Sequence, residues 1–412
     1  MKLRLDPSRE SWMRVAETRA VMKALCTGGG DARFVGGAVR NALLGLHVHD
    51  IDIATPLLPD EVVRRLKACR IRAIPTGIEH GTVTAVVGGR SFEITTLRRD
   101  VETDGRHAVV AFSDSWKEDA SRRDFTINAL YASPDGEVFD YFKGLADLGA
   151  RKIRFIGDPV ARIREDYLRI LRLFRFHAWY GHGALNEQAL RAAQAERAGL
   201  GRLSGERIQK ELLRLLEAES PCATLRVMAQ TGILQEIIPG EAHLESLERL
   251  VAIDNLENDA LLRLVALLQR ESGVAATVGE RLKLSGADRD RVVDLVGARE
   301  EISPGMPLRA LRKLLYHLGA HRVRDRIFLR WSEDPNVSQD KGWRDLLEVA
   351  ESWIIPEFPL SGRDVLAAGI PAGPRVGAIL SQIEADWIES DFAADRISLL
   401  GRLDAIAQTS SN

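Results

Sequence analysis

The pattern of apolar residues changes type near residue 150, and this change constrains the fold more than any other feature of the chain. Short strands are predicted at residues 32–35, 48–54, 71–74, 82–87, 91–96 and 137–139, and helices at residues 38–44 and 60–68. From Asp158 onward the apolar residues recur at helical spacing, beginning with Ile163, Leu168, Ile170, Leu171 and Phe174. The sequence therefore predicts a small α/β head followed by a long helical body.

The length of 412 residues exceeds that of one typical domain, so we expect two to four structural units. A Pro/Gly-rich stretch at residues 303–307 marks a break between helical blocks, and Pro356 and Pro359 mark another. We predict four segments, which comprise residues 1–150, 151–220, 221–355 and 356–412.

The acidic pair Asp50 and Asp52 is the first candidate for chemistry. Residues 48–53 alternate like a short strand, and side chains two apart on a strand point to the same face. Adjacent carboxylates repel each other unless a cation lies between them, and Mg²⁺ is usually held by one or two carboxylates together with substrate phosphates. The pair predicts a platform for two-metal phosphoryl or nucleotidyl transfer. The alternative is a solvated strand end.

A glycine-rich turn precedes the acidic pair and joins the first predicted strand to a helix. Gly36 and Gly37 form this turn, and Arg40 follows about one helical turn later. Free backbone N–H groups at a helix start stabilise an anion, and a guanidinium group adds donors for phosphate oxygens. An ordinary strand–helix turn explains the glycines, but it does not explain Arg40 and the two aspartates together. The turn therefore predicts a phosphate-binding site.

A second cluster contains Arg122, Arg123 and Asp124. Residues 119–123 are charged and residues 125–130 are apolar, which predicts a polar helix start that leads into the core. An arginine at such a position reaches the oxygens of a bound triphosphate. Asp124 has two interpretations, because its carboxylate either accepts a hydrogen bond from a ribose hydroxyl or caps the helix.

A third cluster contains Asp166, Arg169, Arg172 and Arg175, whose spacing of three residues predicts one stripe along a helix. A carboxylate acceptor and a guanidinium donor on neighbouring turns present a hydrogen-bonding edge to a base, and the next arginines are placed to hold phosphates. The alternative is a surface ladder of intrahelical ion pairs, worth about 0.2–0.5 kcal/mol each. Three arginines exceed one aspartate by two charges, which favours a ligand.

The distribution of charge points to a polyanionic partner. Residues 151–215 carry 14 Lys and Arg against 7 Asp and Glu, although the whole chain has a net charge of −2. A basic segment in an otherwise acidic protein is typical of nucleic-acid binding, with solvated helix faces as the alternative. A second charged stretch, residues 97–108, predicts a flexible loop.

Composition excludes several classes of protein. The sequence has no run of about 18 apolar residues, and residues 1–6 lack the apolar core of a signal peptide. Cys26, Cys69 and Cys222 are too far apart in sequence for a metal or redox motif, and they fit a reducing compartment. We therefore expect a cytoplasmic protein without a membrane partner, and nothing in the sequence indicates a protein partner.

Together these motifs resemble the class II tRNA nucleotidyltransferase and poly(A) polymerase family. The matching motifs follow the order of the family and lie at residues 36–52, 122–129, 165–169 and 204–207, within a resemblance that covers most of residues 31–240. The resemblance implies an α+β fold. An N-terminal nucleotidyltransferase head of the polymerase-β type would carry a small mixed sheet, and an all-helical neck, body and tail would follow.

The resemblance also implies roles for individual residues. It implies Mg²⁺ binding and catalysis by Asp50 and Asp52, and nucleotide binding by Gly37, Arg40, Arg123, Asp166, Arg169, Arg172 and Arg175. In the second group, Asp166 and Arg169 would read the base, and residues 204–207 would brace the base-reading helix. Asn41 departs from the family, which commonly has Asp there, and this affects the orientation of the metal site. Glu93 is a further candidate at that site.

Residues 75–84 and 92–98 are similar to the CCA-adding branch of the family, whereas poly(A) polymerases carry a more basic segment there. We therefore predict an Mg²⁺-dependent enzyme that adds C, C and A to the tRNA 3′ end from CTP and ATP, without a nucleic-acid template. A poly(A) polymerase, or an enzyme that adds only CC or only A, is one alternative, which the loop at residues 100–108 would decide. A non-catalytic RNA-binding protein is the other.

Overall fold

The computed structural model describes residues 3–104, 107–253, 258–268, 273–336 and 340–409. The chain folds into two compact units, of which the first comprises Met1–Ala242 and Ala276–Ala287 and the second His243–Ala275 and Asp288–Asn412. The finer division into four segments stays a prediction. No helix among the described residues combines the length and the apolarity that a membrane crossing requires.

The head occupies the N-terminal part of the first unit and alternates helices with short strands. Its helices are α1 (Ser11–Arg14), α2 (Ala16–Cys26), α3 (Gly37–Leu43), α4 (Pro59–Ala68) and α5 (Trp116–Ser121), with 3₁₀ turns at Ile78–His80 and Thr126–Asn128. Its strands are β1 (Arg33–Val35), β2 (Asp52–Thr55), β3 (Arg72–Gly77), β4 (Thr82–Val87), β5 (Arg90–Thr96), β6 (Arg98–Asp104), β7 (His107–Phe112), β8 (Leu130–Ala132) and β9 (Val138–Asp140).

Seven of these strands form one mixed sheet in the order β3-β4-β5-β2-β1-β8-β9. Strands β2 and β5 are parallel, whereas β1 is antiparallel to both β2 and β8. Phe34 pairs with Ile53, and Ile53 pairs with Ile94, so the three side chains lie on the same face of the sheet. Each is at most 1% exposed, so this face forms one part of the apolar core of the head. The predicted α+β head with a small mixed sheet is confirmed.

The six predicted strands are present as β1–β5 and β9, with ends that differ by a few residues. The largest difference is at β2, which begins at Asp52 rather than at residue 48. Val35, the last residue of β1, pairs with Asp52, and Gly36 then turns the chain into α3, so β1 does not continue opposite the residues before Asp52. Asp50 therefore precedes the strand. The alternation nevertheless continues, because Asp50 and Asp52 are exposed and Ile51 is buried.

The prediction of a flexible loop at residues 97–108 is wrong for residues 97–104 and 107–108. Residues 105 and 106 lie outside the described part of the chain. The stretch contributes strand β6 and the start of β7, which pair as an antiparallel ribbon with Arg98 opposite Phe112 and Arg99 opposite Ala111. A two-stranded ribbon satisfies its backbone hydrogen bonds between its own strands, so it needs no alternating apolar residues in β6. The charged sequence of β6 therefore lacks the alternation from which a strand is predicted.

The helix start predicted at residues 119–123 is also wrong. Helix α5 ends at Ser121, and the apolar run after it forms the 3₁₀ turn Thr126–Asn128 and strand β8. A short continuous apolar run is equally typical of a buried strand and of a buried helix segment, so periodicity alone does not distinguish them. Pairing of β8 with β1 and β9 decides the outcome, because it makes residues 130–132 a strand with a partner on each side.

The rest of the described chain is helical, as predicted. Its helices are α6 (Gly144–Gly149), α7 (Pro159–Glu165), α8 (Leu168–Tyr180), α9 (Glu187–Ala195), α10 (Gly205–Leu216), α11 (Cys222–Gln230), α12 (Leu244–Ile253), α13 (Ala260–Leu267), α14 (Val274–Arg281), α15 (Gly286–Gly297), α16 (Leu308–Leu318), α17 (Ala320–Glu333), α18 (Asp340–Ser352), α19 (Gly362–Ala367), α20 (Pro374–Glu389) and α21 (Arg396–Thr409), with a 3₁₀ turn at Arg197–Arg202.

Apolar packing organises the helices within each unit. In the first unit, α8 packs side by side with α10, and the buried residues Ile170, Phe174, Leu212 and Leu215 belong to these two helices. Among the described residues of the second unit, one apolar cluster is built around Trp331 and Trp343 and another around Trp387. The α8–α10 pair is the part of the helical region that positions the candidate site.

Candidate active site

A cleft of about 990 Å³ in the first unit brings all nine predicted site residues together. The predicted residues in its lining are Gly37, Arg40, Asp50, Asp52, Arg123, Asp166, Arg169, Arg172 and Arg175. The whole lining contains nine Lys and Arg against five Asp and Glu, so the cleft carries a net positive charge. Such a surface attracts polyanions.

The two aspartates stand where β2 begins, next to a third acid. Asp52 pairs in register with Glu93 of the parallel strand β5, and Asp50 lies two residues before Asp52. Solvent reaches the side chain of Asp52, but the cleft surrounds it. Burial, followed by the charges of Glu93 and Asp50, raises the pKa of Asp52 to about 6, against the opposing charge of Arg123. The three acids therefore repel one another, and a bound cation would relieve this repulsion.

The donor set suits a hard cation that keeps part of its own coordination shell. In the described part of the chain, no three His, Cys, Asp or Glu side chains converge into a complete metal site. Mg²⁺ usually takes one or two protein carboxylates and completes its octahedron with water and phosphate oxygens. Two aspartates that face an open, positively charged cleft fit this requirement.

The turn before α3 depends on one of its two glycines. Gly36 has φ 69° and ψ −120°, a conformation that only glycine adopts without strain, whereas Gly37 is the first residue of α3. A Cβ atom on Gly36 would meet no atom closer than 3.6 Å, so the constraint comes from the backbone angles and not from crowding. The turn brings the start of α3 to the cleft.

Replacing Gly36 by alanine is expected to destabilise the first unit by about 1–3 kcal/mol, because alanine is strained at these backbone angles. Replacing Gly37 is the matched control, since alanine favours a helical position and a change of less than about 1 kcal/mol is expected. Urea unfolding followed by circular dichroism measures both variants. Equal midpoints for the two variants would contradict the role assigned to Gly36.

Arg40 is held by neutral partners. Its Nη1 donates to Oδ1 of Asn128 at 2.6 Å and its Nη2 to the hydroxyl of Tyr180 at 2.8 Å, and the guanidinium lies 4.0 Å from the centre of the Tyr180 ring. Asn41 accepts from both Nε and Nη2 of Arg40 and donates to the carbonyl of His47. None of these partners carries a negative charge, so the charge of Arg40 remains available to an anion.

Arg123 shares a single buried carboxylate with Arg122. Asp119 is 1% exposed and accepts from Nε and Nη2 of Arg123 as well as from Arg122, while Tyr131 donates to it at 2.7 Å. Burial opposes ionisation of Asp119, but the two guanidinium groups lower its pKa to about 2. Two arginines against one carboxylate leave one positive charge at the cleft wall.

Asp124 is the counter-ion of Arg172. Its Oδ2 accepts from Nε of Arg172 at 2.7 Å, and its Oδ1 accepts from the amide of Phe125 and from Asn128. Burial opposes ionisation, but Arg172 and these hydrogen bonds lower the pKa of Asp124 to about 2. Asp124 therefore does not cap a helix, whereas its contact with a ribose hydroxyl stays a prediction.

Asp166 lies between two helices rather than on one helical stripe. Helix α7 ends at Glu165, and Asp166 has an extended backbone with φ −156° before α8 begins at Leu168. Its Oδ1 accepts from the amide of Leu168 at 3.1 Å, and its Oδ2 accepts from Arg207 at 2.7 Å. An aspartate that bonds to the backbone two residues later interrupts a helix, which is why the continuous stripe was wrong.

The three arginines on α8 each have a carboxylate partner, so the predicted excess of two positive charges on this stripe is wrong. Arg169 pairs with Glu165 and also donates to the carbonyl of Arg162 at 2.8 Å. Arg172 pairs with Asp124, and Arg175 pairs with Glu211. Because Asp124 and Glu211 are far from α8 in sequence, a helical window does not reveal them. The pairs fix the orientation of the guanidinium groups along the cleft.

Sequence reasoning missed several residues that shape the cleft. They are Asn128, Tyr180, Arg207 as the partner of Asp166, Glu211, Trp179, Lys210 and Arg214. A signal existed for Glu211, because it is an acid among the apolar residues Ile208, Leu212 and Leu215 on the buried face of α10. A buried acid on such a face requires a basic partner.

The comparisons with known proteins agree on one family. The Poly A polymerase head domain matches residues 32–154, and a probable RNA- and SrmB-binding site of polymerase A matches residues 184–244. The chain is 33% identical to CCA tRNA nucleotidyltransferase 1, mitochondrial, of Danio rerio over 90% of this chain and 87% of that protein. It is 34% identical to the CCA-adding enzyme of Levilactobacillus brevis over 89% of this chain and 91% of that protein.

A solved structure shares the fold over nearly the whole length. The crystal structure of the Bacillus stearothermophilus CCA-adding enzyme in complex with CTP superposes with a TM-score of 0.73 and 28% sequence identity. The match covers 95% of this chain and 97% of that one.

Proposed function

The chain belongs to the class II family of CCA-adding enzymes, and we propose that it adds C, C and A to the 3′ end of tRNA from CTP and ATP without a nucleic-acid template. One observation carries the proposal. A pair of aspartates and a row of arginines held by ion pairs line one positively charged cleft, which suits a metal-bound triphosphate and an RNA. The tRNA would be held mainly by shape and backbone contacts, so its binding depends on salt.

Asp50 and Asp52 are the residues that would hold Mg²⁺. When bound there, divalent ions would lower the barrier for attack of the terminal 3′-hydroxyl on the α-phosphate and stabilise the departing pyrophosphate. Arg40 is held by neutral groups, and Arg123 shares the carboxylate of Asp119 with Arg122. Both guanidinium groups line the same cleft and are placed to bind triphosphate oxygens. Gly37, at the first position of α3, is the proposed point of close backbone approach.

Asp166 and Arg169 are the proposed base readers. The amide of Leu168 and the guanidinium of Arg207 fix the carboxylate of Asp166, while Glu165 fixes Arg169. Cytosine and adenine both present an amino donor beside a ring-nitrogen acceptor, whereas uracil and guanine present the reverse order. An acceptor on Asp166 and a donor on Arg169 therefore select C and A together. Arg172 and Arg175 complete the nucleotide site in this proposal.

The proposal is tested with tRNAs that end before, within and after the CCA sequence. The purified protein should add labelled C to an end that lacks CCA and to an end that stops after the first cytidine. It should add labelled A only after both cytidines, and it should then stop. Denaturing gels resolve each product to a single nucleotide. Long tails from ATP would identify a poly(A) polymerase, addition of only CC or only A would identify a partial enzyme, and no incorporation would favour a non-catalytic RNA-binding protein.

Binding of Mg²⁺ is expected to weaken as the pH falls through about 6, because a proton and the metal compete for Asp52, whose pKa is raised to about 6. With one competing proton, the apparent dissociation constant rises about tenfold for each pH unit below that pKa. Calorimetric titration of the protein with Mg²⁺ from about pH 5 to about pH 8 measures this dependence. A constant affinity over this range would contradict it.

Replacing Glu93 by glutamine separates two roles for this residue. The substitution removes a charge that raises the pKa of Asp52, so the midpoint of the pH dependence should move to lower pH, with unchanged affinity above about pH 7. A fall in affinity at every pH would instead assign Glu93 to the metal.

The cytoplasmic location stays a prediction, since the Danio rerio relative is a mitochondrial enzyme.

A further inference from the structure

One part of the cleft is not used by the proposed nucleotide site. Trp179 of α8 and the residues Lys210 and Arg214 of α10 line it, and we call these three residues the rim platform. Trp179 is four residues beyond Arg175, so it continues the face of α8 that carries the arginines. At 1.5 Å per residue, Trp179 lies about 15 Å along the helix from Arg169. The rim platform therefore lies beyond the base-reading residues.

Trp179 is exposed and held in one orientation. Trp179 is 41% exposed, so its ring is accessible to a ligand in the cleft. Its indole Nε1 donates to the carbonyl oxygen of Arg214 at 2.6 Å, which ties the end of α8 to α10. A flat apolar ring with a fixed orientation is a stacking surface.

The two cations of the rim platform are available to a ligand. Within the described residues Lys210 forms no ion pair, and Arg214 is paired only with Glu217 at 3.4 Å, with both side chains exposed. An exposed pair of this kind contributes little and is easily exchanged for another anion. Arg169, Arg172 and Arg175 differ in this respect, because each is held by a partly or fully buried carboxylate.

We propose that the rim platform binds the single-stranded 3′ end of the RNA that is being extended. The indole of Trp179 stacks on a terminal base, and Lys210 and Arg214 contact the neighbouring phosphates. An aromatic surface beside cations is typical of single-strand binding. The inference rests on the proposed function and deepens it, because it assigns a second subsite for the RNA beside the nucleotide site.

The chemistry of the ring fits an RNA end better than the incoming nucleotide. Stacking tolerates any base, and the indole N–H is already bonded to Arg214, so Trp179 offers no donor or acceptor for reading a base edge. A growing end presents a different base after each addition, so its subsite must tolerate sequence. The incoming nucleotide, by contrast, must be selected, and that requires the donor and acceptor of Arg169 and Asp166.

The test measures binding of two RNAs to the wild-type protein and to W179A. One tRNA retains its single-stranded 3′ nucleotide, and the other lacks it and ends at the base-paired stem. W179A is expected to bind the first RNA about tenfold more weakly and the second as the wild type does, with an unchanged KM for CTP. W179F keeps a stacking ring without the N–H, and it should stay within about threefold of the wild type.

Charge is tested separately with K210Q combined with R214Q. Loss of two phosphate contacts should reduce the slope of log affinity against log salt by about 1.4, at about 0.7 for each contact with a single strand. K67Q is the matched control, because Lys67 is exposed on α4 outside the cleft. Its slope should equal that of the wild type.

The outcomes separate this inference from the proposed function. Absence of C and A incorporation by the wild-type protein would reject the proposed function, while the binding measurements would still judge the rim platform. Equal binding of the first RNA by W179A and the wild type would overturn the inference. A rise in the KM for CTP that matches the loss of RNA binding would also overturn it, because it would place the indole in the nucleotide site.

Discussion

The D52A variant is expected to lose at least about 10³-fold in the rate of nucleotide incorporation, while it keeps a near wild-type affinity for tRNA. The carboxylate of Asp52 stands at the start of β2 beside Asp50, and it is one of two groups proposed to hold the catalytic Mg²⁺. The RNA is held by other residues of the cleft and by shape. Single-turnover incorporation of labelled CTP and filter binding of tRNA measure the two quantities.

The fold of this variant is expected to remain intact. The pKa of Asp52 is raised in the folded protein, so its ionisation opposes folding at neutral pH in the absence of metal. Removal of the carboxylate removes this unfavourable contribution, and the unfolding midpoint without Mg²⁺ should equal or exceed that of the wild type. D60A is the control, because Asp60 is an exposed aspartate on α4 outside the cleft and its loss should leave the rate unchanged.

Two results would contradict the role of Asp52. A folded D52A protein that lost tRNA affinity as strongly as rate would show that the carboxylate supports RNA binding. A D52A protein with the wild-type rate would remove the carboxylate from catalysis. If both D50A and D52A also kept the biological role, the non-catalytic RNA-binding alternative would be correct.

Strands of the head are predictable from the alternation of apolar and polar residues wherever one face of the strand is buried and the other is open to solvent. Strands β4 and β5 were predicted almost to the residue because their apolar and polar residues alternate. The β6–β7 ribbon and β8 were missed for opposite reasons. Strand β6 is charged, and it pairs with β7 within one hairpin. Strand β8 is a buried apolar run, and it pairs with β1, which is far from it in the sequence.

The candidate site could be predicted as a set of residues but not as a network. The sequence identified nine residues that the structure brings to one cleft, because each motif has a local spacing that suits its chemistry. The partners that fix them were not predictable. Asp124 and Glu211 pair with arginines of α8 across separations of 48 and 36 residues, and only tertiary packing creates such contacts.

The ion pairs change the physical interpretation of the arginine row. Free arginines along a helix would form a diffuse positive surface, whereas these are oriented by buried or half-buried carboxylates. Breaking a buried pair by removing one partner leaves an uncompensated charge, which is more damaging than the loss of an exposed charge. Orientation suits a site that selects a base by direction of hydrogen bonding, because selection requires donors that do not move.

The R169A variant is expected to lose selectivity more than it loses stability. The preference for CTP over UTP on a tRNA that lacks CCA should fall by about 10- to 100-fold, because one correct hydrogen-bonded contact to a base is worth about 1–3 kcal/mol. The fold should tolerate the change, since Glu165 keeps its second partner, Arg162, and no carboxylate is left without a counter-charge. Single-nucleotide incorporation with each of the four triphosphates measures kcat/KM for every base.

R164A is the matched control for this prediction. Arg164 is an exposed arginine that pairs with Glu196 and lies outside the cleft, so its removal should leave the ratio of CTP to UTP unchanged. A uniform fall of kcat/KM for all four triphosphates in R169A would contradict base reading and would assign the guanidinium to the phosphates. Base reading instead requires that the ratio of CTP to UTP falls because kcat/KM for CTP is reduced while kcat/KM for UTP is preserved or raised. Such a result requires that Arg169 donate to the base itself, because a phosphate contact is shared by every nucleotide.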